Sequence, residues 1–92
     1  MSIVFVIEDE GHSEWLPGEF ASFDDALSEV RRLAAVPWDT PPNQAPCTGW
    51  EGCGRDWTIL EFDRTTEPHW TELDRTPIVE IRKARVRWFY QG

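Results

Sequence analysis

With 92 residues, the chain has the length of one small domain, residues 1–92, and its hydrophobic content of 40% is enough for a modest core. The formal net charge is −8, and an acidic protein repels phosphate backbones, so the composition disfavours nucleic-acid binding. No apolar run approaches the roughly 20 residues that a membrane-spanning helix needs. These properties favour a soluble globular domain.

The first strand is predicted close to the N-terminus. Residues 3–7 form a continuous apolar run, IVFVI, rich in β-branched side chains, which is typical of a strand inside a sheet. The run is too short for a signal-peptide core, and no basic residue precedes it. We therefore expect a cytoplasmic protein, in which thiols are usually reduced.

A helix is predicted to begin after Ser22 and to end before Pro37. The Ser22 hydroxyl can accept a hydrogen bond from a free backbone N–H of the first turn, and Asp24 and Asp25 suit the positive end of the helix dipole. Apolar residues then recur at helical spacing and form one stripe: Phe23, Ala26, Leu27, Val30, Leu33 and Ala34. Pro37 prevents the helix from continuing.

Three further strands are predicted after a long loop. They cover residues 56–63, 78–81 (opened by Pro77) and 85–90, with a polar connection at 65–74. The order β-α-β-β-β predicts an α+β fold, in which one helix packs on a sheet of about four strands. The long connection between the helix and the second strand is the feature that sets this chain apart.

That connection, residues 37–55, is the predicted binding loop. Residues 37–57 read PWDTPPNQAPCTGWEGCGRDW and hold four of the seven prolines and three of the six tryptophans. Proline excludes a regular helix or central strand, whereas disordered segments are poor in aromatic residues. Long ordered loops usually serve a function. We predict a non-enzymatic protein-binding module whose contacts with a protein partner include Trp38, Asp39, Asn43, Trp50 and Arg55.

The two cysteines, Cys47 and Cys53, support alternative hypotheses. Together with His12 and His69 they offer a zinc ligand set, although their separation exceeds the two to four intervening residues of common zinc modules. A cysteine nucleophile or redox pair is a second alternative, because Arg55 would favour a thiolate. Two reduced cysteines that pack the loop, or a disulfide, are the structural interpretations. No phosphate- or dinucleotide-binding motif is present, so no cofactor is predicted.

The remaining tryptophans divide between strands and loops. Trp57 and Trp88 fall in predicted strands, where we expect core or sheet-face positions, and in the last strand we expect Val86, Trp88 and Tyr90 to face the core. Trp15 and Trp70 fall in predicted loops. Loop tryptophans either hold a loop down by packing beneath it or form an exposed aromatic patch, which is typical of an interaction surface.

Overall fold

The computed structural model describes residues 2–46, 54–65, 69–83 and 85–90. Within these ranges the chain forms one helix and one sheet. The elements are β1 (Ile3–Asp9), β2 (Glu14–Trp15), α1 (Phe23–Ala34), β3 (Gly54–Asp63), β4 (Thr71–Arg82) and β5 (Val86–Trp88). The predicted α+β class, with one helix packed on a sheet, is confirmed.

All described strands pair antiparallel in the order β2-β1-β3-β4-β5. The sheet has five strands where about four are predicted, because Glu14 and Trp15 of a predicted loop pair with Asp9 and Glu8 of β1. Two residues are too few for a period-2 pattern, so only the partner strand reveals β2. Strand β1 lies inside the sheet, between β2 and β3, as its apolar run predicts.

Strand β4 begins earlier than its sequence pattern indicates. Thr71 pairs with Asp63 and Asp74 pairs with Glu61, so the second half of the predicted 65–74 connection belongs to β4. The side chains of residues 71–75 are all exposed, and a strand without a buried face carries no apolar alternation. Pro77 lies at a register shift between β3 and β4. It is tolerated there because β5 pairs only with residues 79–81 of β4.

Helix α1 buries its apolar stripe against one face of the sheet. Its predicted start is confirmed: Ser22 Oγ accepts a hydrogen bond of 3.1 Å from the backbone N–H of Asp25. The core on this face contains Ile7, Ala26, Leu27, Val30, Leu33, Trp57, Ile59, Ile78, Val79 and Ile81. Burial of each large apolar side chain contributes about 1.5–3 kcal/mol, so this face dominates the stability of the domain. Among the described residues, no helix is long and apolar enough to span a membrane.

The tryptophans of the predicted strands have different environments. Trp57 is buried in the core, as predicted. Val86 and Trp88 pair with Ile81 and Val79, which directs them to the helix side of the sheet, yet they are 46% and 37% exposed. The prediction that they face the core is wrong, because α1 packs mainly over β1, β3 and β4. Tyr90, predicted with them, is half-buried and does pack against the core.

The opposite face of the sheet carries a smaller apolar cluster. Its buried members are Val4, Val6, Leu60 and Phe62. Trp70 packs against them, and the ring of Trp15 lies 5.3 Å from that of Phe62. Aromatic side chains, not a second helix, therefore cover this cluster within the part of the chain that the structure describes.

Candidate functional site

Asn43 anchors the described part of the 37–55 loop to the core. Its Nδ2 donates to the backbone carbonyls of Leu33 (2.7 Å) and Val36 (2.8 Å), near the C-terminal end of α1. Its Oδ1 accepts from Nε1 of Trp57 at 3.0 Å. Helix ends leave carbonyl groups without intrahelical partners. The fully buried amide of Asn43 therefore binds one carbonyl in the last turn of α1 and one just beyond it, and it joins the helix, the loop and β3.

Arg55, at the start of β3, is the second anchor. Its Nε and Nη2 donate to the backbone carbonyls of Pro42 (3.1 Å) and Gln44 (2.9 Å). Its Nη1 donates to the carboxylates of Asp9 and Glu14, both at 2.8 Å. The planar guanidinium thus binds the loop on one side and the β1–β2 hairpin on the other.

Asp9 is the buried negative charge that balances this guanidinium. Besides Arg55, its carboxylate accepts from the backbone N–H groups of Gly11 (3.1 Å) and Asp56 (3.0 Å), and Nδ1 of His12 lies 2.6 Å away. Burial raises the pKa of the Asp9 carboxyl, but the hydrogen bonds from Arg55, Asp56 and His12 outweigh it and hold the pKa below its ordinary value. Asp9 is therefore charged at neutral pH.

The described part of the loop, residues 37–46, is a series of tight turns. The backbone N–H of Thr40 donates to the carbonyl of Pro37 at 3.1 Å. The N–H groups of Asn43 and Gln44 donate to the carbonyl of Thr40 at 2.9 and 3.1 Å. These local bonds, together with the two anchors, give the segment a defined conformation.

Trp38 and Asp39 lie at the surface of this segment. Asp39 is exposed, whereas Trp38 is half-buried and rests its ring on the core. Nζ of Lys83 lies 5.8 Å from the ring centroid of Trp38, within the range of a cation–π contact. Trp38 also lines a cavity of about 370 Å³ together with Arg82 and Arg85. The loop therefore presents an aromatic ring among charged groups.

The predicted binding residues thus fall into three groups. Asn43 and Arg55 are buried and hold the loop in place. In this conformation their side chains position the loop surface and are not themselves exposed to a partner. Trp38 and Asp39 form that surface. Trp50 lies outside the described residues. The sequence gives a signal for the loop as a whole, from its prolines and tryptophans, but none that separates anchors from surface residues.

The candidate metal ligands have separate surroundings where the structure describes them. His12 lies against Asp9. His69 lines a cavity with the rings of Trp15 and Trp70 on the other face of the sheet. No group of three or more His, Cys, Asp or Glu residues within the described ranges is arranged to hold a metal ion. The zinc hypothesis also needs Cys47 and Cys53, which lie outside the described residues, so it stays a prediction.

A cavity of about 660 Å³ opens where β3 and β4 shift register. Its polar lining includes Asp56, Glu80 and Arg82. Nη2 of Arg82 lies 2.8 Å from Oδ1 of Asp56 and 3.9 Å from Oε2 of Glu80. Both carboxylates therefore face the same cation at this cavity.

Trp15 and Trp70, both in predicted loops, contact each other, which no pattern in the sequence predicts. The rings of Trp15 and Trp70 stack with 6.4 Å between centroids, and Phe62 lies against both at 5.3 and 5.9 Å. Trp15 is far from Phe62 and Trp70 in the chain, and it meets them because β2 pairs with β1 and β1 pairs with β3. The one signal in the sequence is that Trp15 and Trp70 both fall in polar surroundings, where a core role is less expected.

Comparison with known proteins assigns no family to this chain. No protein-family model matches the sequence, and neither a curated protein nor a solved structure matches it. Its function is therefore inferred from the geometry of the domain.

Proposed function

We propose that this chain is a non-enzymatic protein-binding module that presents its 37–55 loop to a protein partner. The observation that supports the proposal is the anchoring of the loop by the buried side chains of Asn43 and Arg55. A loop that is ordered before binding loses less conformational entropy when the complex forms. Buried polar side chains that fix the shape of a surface loop are expected where that shape matters for binding.

The exposed residues of the loop suit contact with a protein. Tryptophan and arginine are enriched among the residues that dominate binding energy in protein interfaces. Trp38 lies beside Lys83 and Arg85, and Asp39 follows it in the chain. An aromatic ring flanked by charges of both signs offers apolar area for affinity and polar groups for specificity.

Site-specific photo-cross-linking tests this proposal. A benzophenone amino acid at position 39 should capture a partner protein in cell extract, and excess unlabelled wild-type chain should prevent the capture. The matched control carries the same probe at Ser28, on the exposed side of α1. Equal capture from both positions, or capture that excess wild-type chain does not reduce, would contradict a role for the loop.

A cysteine-dependent enzyme or redox protein, or a metal-stabilised domain, is the alternative. The observation that favours the enzyme is the 2.6 Å contact between Nδ1 of His12 and the buried Asp9, because a carboxylate orients histidine in this way in catalytic dyads. Alkylation rates of Cys47 and Cys53 against pH test it: thiolate formation well below the ordinary pKa of about 8.5 supports catalysis. A melting temperature lowered by a chelator would support the metal site.

A further inference from the structure

We propose that the aromatic patch on the second face of the sheet binds lysine and arginine side chains in a basic segment of a protein partner. The patch is defined by Trp15, Phe62 and Trp70. It lies opposite the helix-covered face of the sheet, and its role does not depend on the 37–55 loop. Of its three rings, that of Trp15 is exposed, that of Trp70 is half-buried and that of Phe62 is buried, and carboxylates lie around them.

The ring geometry supplies accessible aromatic surface. Trp15 is 50% exposed although its ring contacts both Phe62 and Trp70. A cavity of about 430 Å³ is lined by these three residues and His69. A cation positioned over the face of a tryptophan ring is attracted by the negative charge density of that face. The patch therefore offers an indole face on which an ammonium or guanidinium group can rest.

Carboxylates border the patch closely. Oε2 of Glu8 accepts a hydrogen bond of 3.1 Å from Nε1 of Trp15, and Glu72 pairs with Phe62 across β3 and β4. Because paired residues of antiparallel strands share a face, the Glu72 side chain lies beside the rings. An incoming cation would therefore meet an indole face and a carboxylate within the same surface.

Arg75 does not neutralise this border. Its guanidinium contacts Glu8 (3.3 Å), Glu10 (2.7 Å) and Glu72 (2.8 Å), so three carboxylates share one cation. The hydrogen bond from Arg75 lowers the pKa of Glu72, and the carboxylates raise the pKa of Arg75, so both remain charged at neutral pH. The cluster retains negative charge beside exposed apolar surface.

Charge complementarity indicates which kind of partner the aromatic patch binds. A purely apolar partner would strip water from these carboxylates without replacing it, and nucleic acid would be repelled by them. Residues 1–30, which supply Trp15 and Glu8, carry eight acidic side chains and no lysine or arginine. A basic peptide segment satisfies both the rings and the charges.

Titration of the isotope-labelled full chain with a short peptide of alternating glycine and lysine tests the proposal. The indole N–H resonances of Trp15 and Trp70 should shift, and the affinity should fall as salt is added. Trp15→Ala should weaken binding roughly fivefold. This loss corresponds to the free energy of one cation–π contact at an exposed or partly desolvated site. Trp88→Ala, which removes an exposed tryptophan from β5, is the matched control and should bind like the wild type.

Three results would overturn the proposal. These are indole shifts that avoid Trp15 and Trp70, equal affinities for the Trp15→Ala and Trp88→Ala chains, and equal binding of an alternating glycine–glutamate peptide. The wild-type shifts need no variant, so they decide the matter even if Trp15→Ala fails to fold. Cross-linking from position 39 tests the loop separately. The proposal for the loop and the proposal for the aromatic patch can therefore fail independently.

Discussion

Asn43 shows how a single residue can fix the described part of a long loop. Its three hydrogen bonds reach the carbonyl of Leu33 in the last turn of α1, the carbonyl of Val36 just beyond it, and the indole of Trp57. Buried polar groups that lose their partners cost more than the bonds contribute when made. The conformation of the loop therefore depends on this amide more than on any exposed loop residue.

Asn43→Ala should lower the free energy of unfolding by roughly 2–4 kcal/mol, because it leaves the carbonyl of Val36 and the indole N–H of Trp57 without these partners and removes one of the hydrogen bonds to the carbonyl of Leu33. Urea unfolding followed by circular dichroism measures the loss. Gln44→Ala is the matched control, since the side chain of Gln44 is exposed, and we expect a change within about 0.5 kcal/mol. Equal losses in the two variants would show that Asn43 is not an anchor.

Asp9 makes stability depend on pH in a definite direction. Its pKa in the folded chain lies below its unfolded value, so its contribution is complete above the unfolded pKa and is lost as pH falls through the folded pKa. The part of the acid limb of the stability curve that Asp9 supplies should therefore develop as the pH falls below about 4.

Asp9→Asn should flatten that acid limb and cost roughly 3 kcal/mol at neutral pH, because it weakens the pairing of the buried Arg55 guanidinium. Chemical denaturation at a series of pH values checks both effects. Asp39→Asn, which alters an exposed carboxylate in the loop, should leave the acid limb as it is in the wild type. A wild-type slope in Asp9→Asn would refute the assignment.

At the level of elements, α1 depends on its N-cap. Ser22→Ala removes the Oγ that accepts from the N–H of Asp25 and should cost about 1 kcal/mol. Ser28→Ala changes the same residue type within the helix, at an exposed position, and should be neutral or slightly stabilising because alanine has the higher helix propensity. Thermal unfolding of both variants distinguishes capping from propensity; a Ser22→Ala variant as stable as the wild type would reject the cap.

The start of β3 depends on Gly54. A Cβ atom there would lie 1.9 Å from the backbone carbonyl oxygen of Ile81, so the strands must separate to accept it. Gly54→Ala should destabilise the domain by roughly 3 kcal/mol or more. Gly18→Ala is the comparison: its φ of +109° strains alanine, but nothing lies within 4 Å, so the cost should be about 1 kcal/mol. Urea midpoints in the reverse order would contradict this account.

The elements also show what the sequence can predict. Helix α1 and strand β1 can be predicted from local patterns. The helix has apolar residues at helical spacing and an N-cap, and the strand has a continuous apolar run. Strand β2 and the first half of β4 are exposed and take their conformation from pairing with β1 and β3, which no local pattern records. In the same way, the loop composition predicts a binding site, but most partners of the Asn43 and Arg55 side chains lie in other elements. Their anchoring role is therefore visible only after folding.

Across the whole molecule, the sheet separates two surfaces. On one side it packs against α1, and the anchored loop joins that core through Asn43 and Trp57. On the other side it displays the aromatic patch with its border of carboxylates. One small scaffold thus supports two independent proposals for binding, each with its own residues and its own test.

We expect residues 37–46 of the loop to be ordered before any partner binds, and native-state hydrogen exchange of the free chain tests this most directly. We predict slow exchange of the amides of Thr40, Asn43 and Gln44, whose N–H groups are hydrogen-bonded within the loop. Asn43→Ala should accelerate the amides of Thr40 and Gln44 while leaving those of β3 slow. Exchange of all three wild-type amides at the rate of an unstructured peptide would contradict the claim.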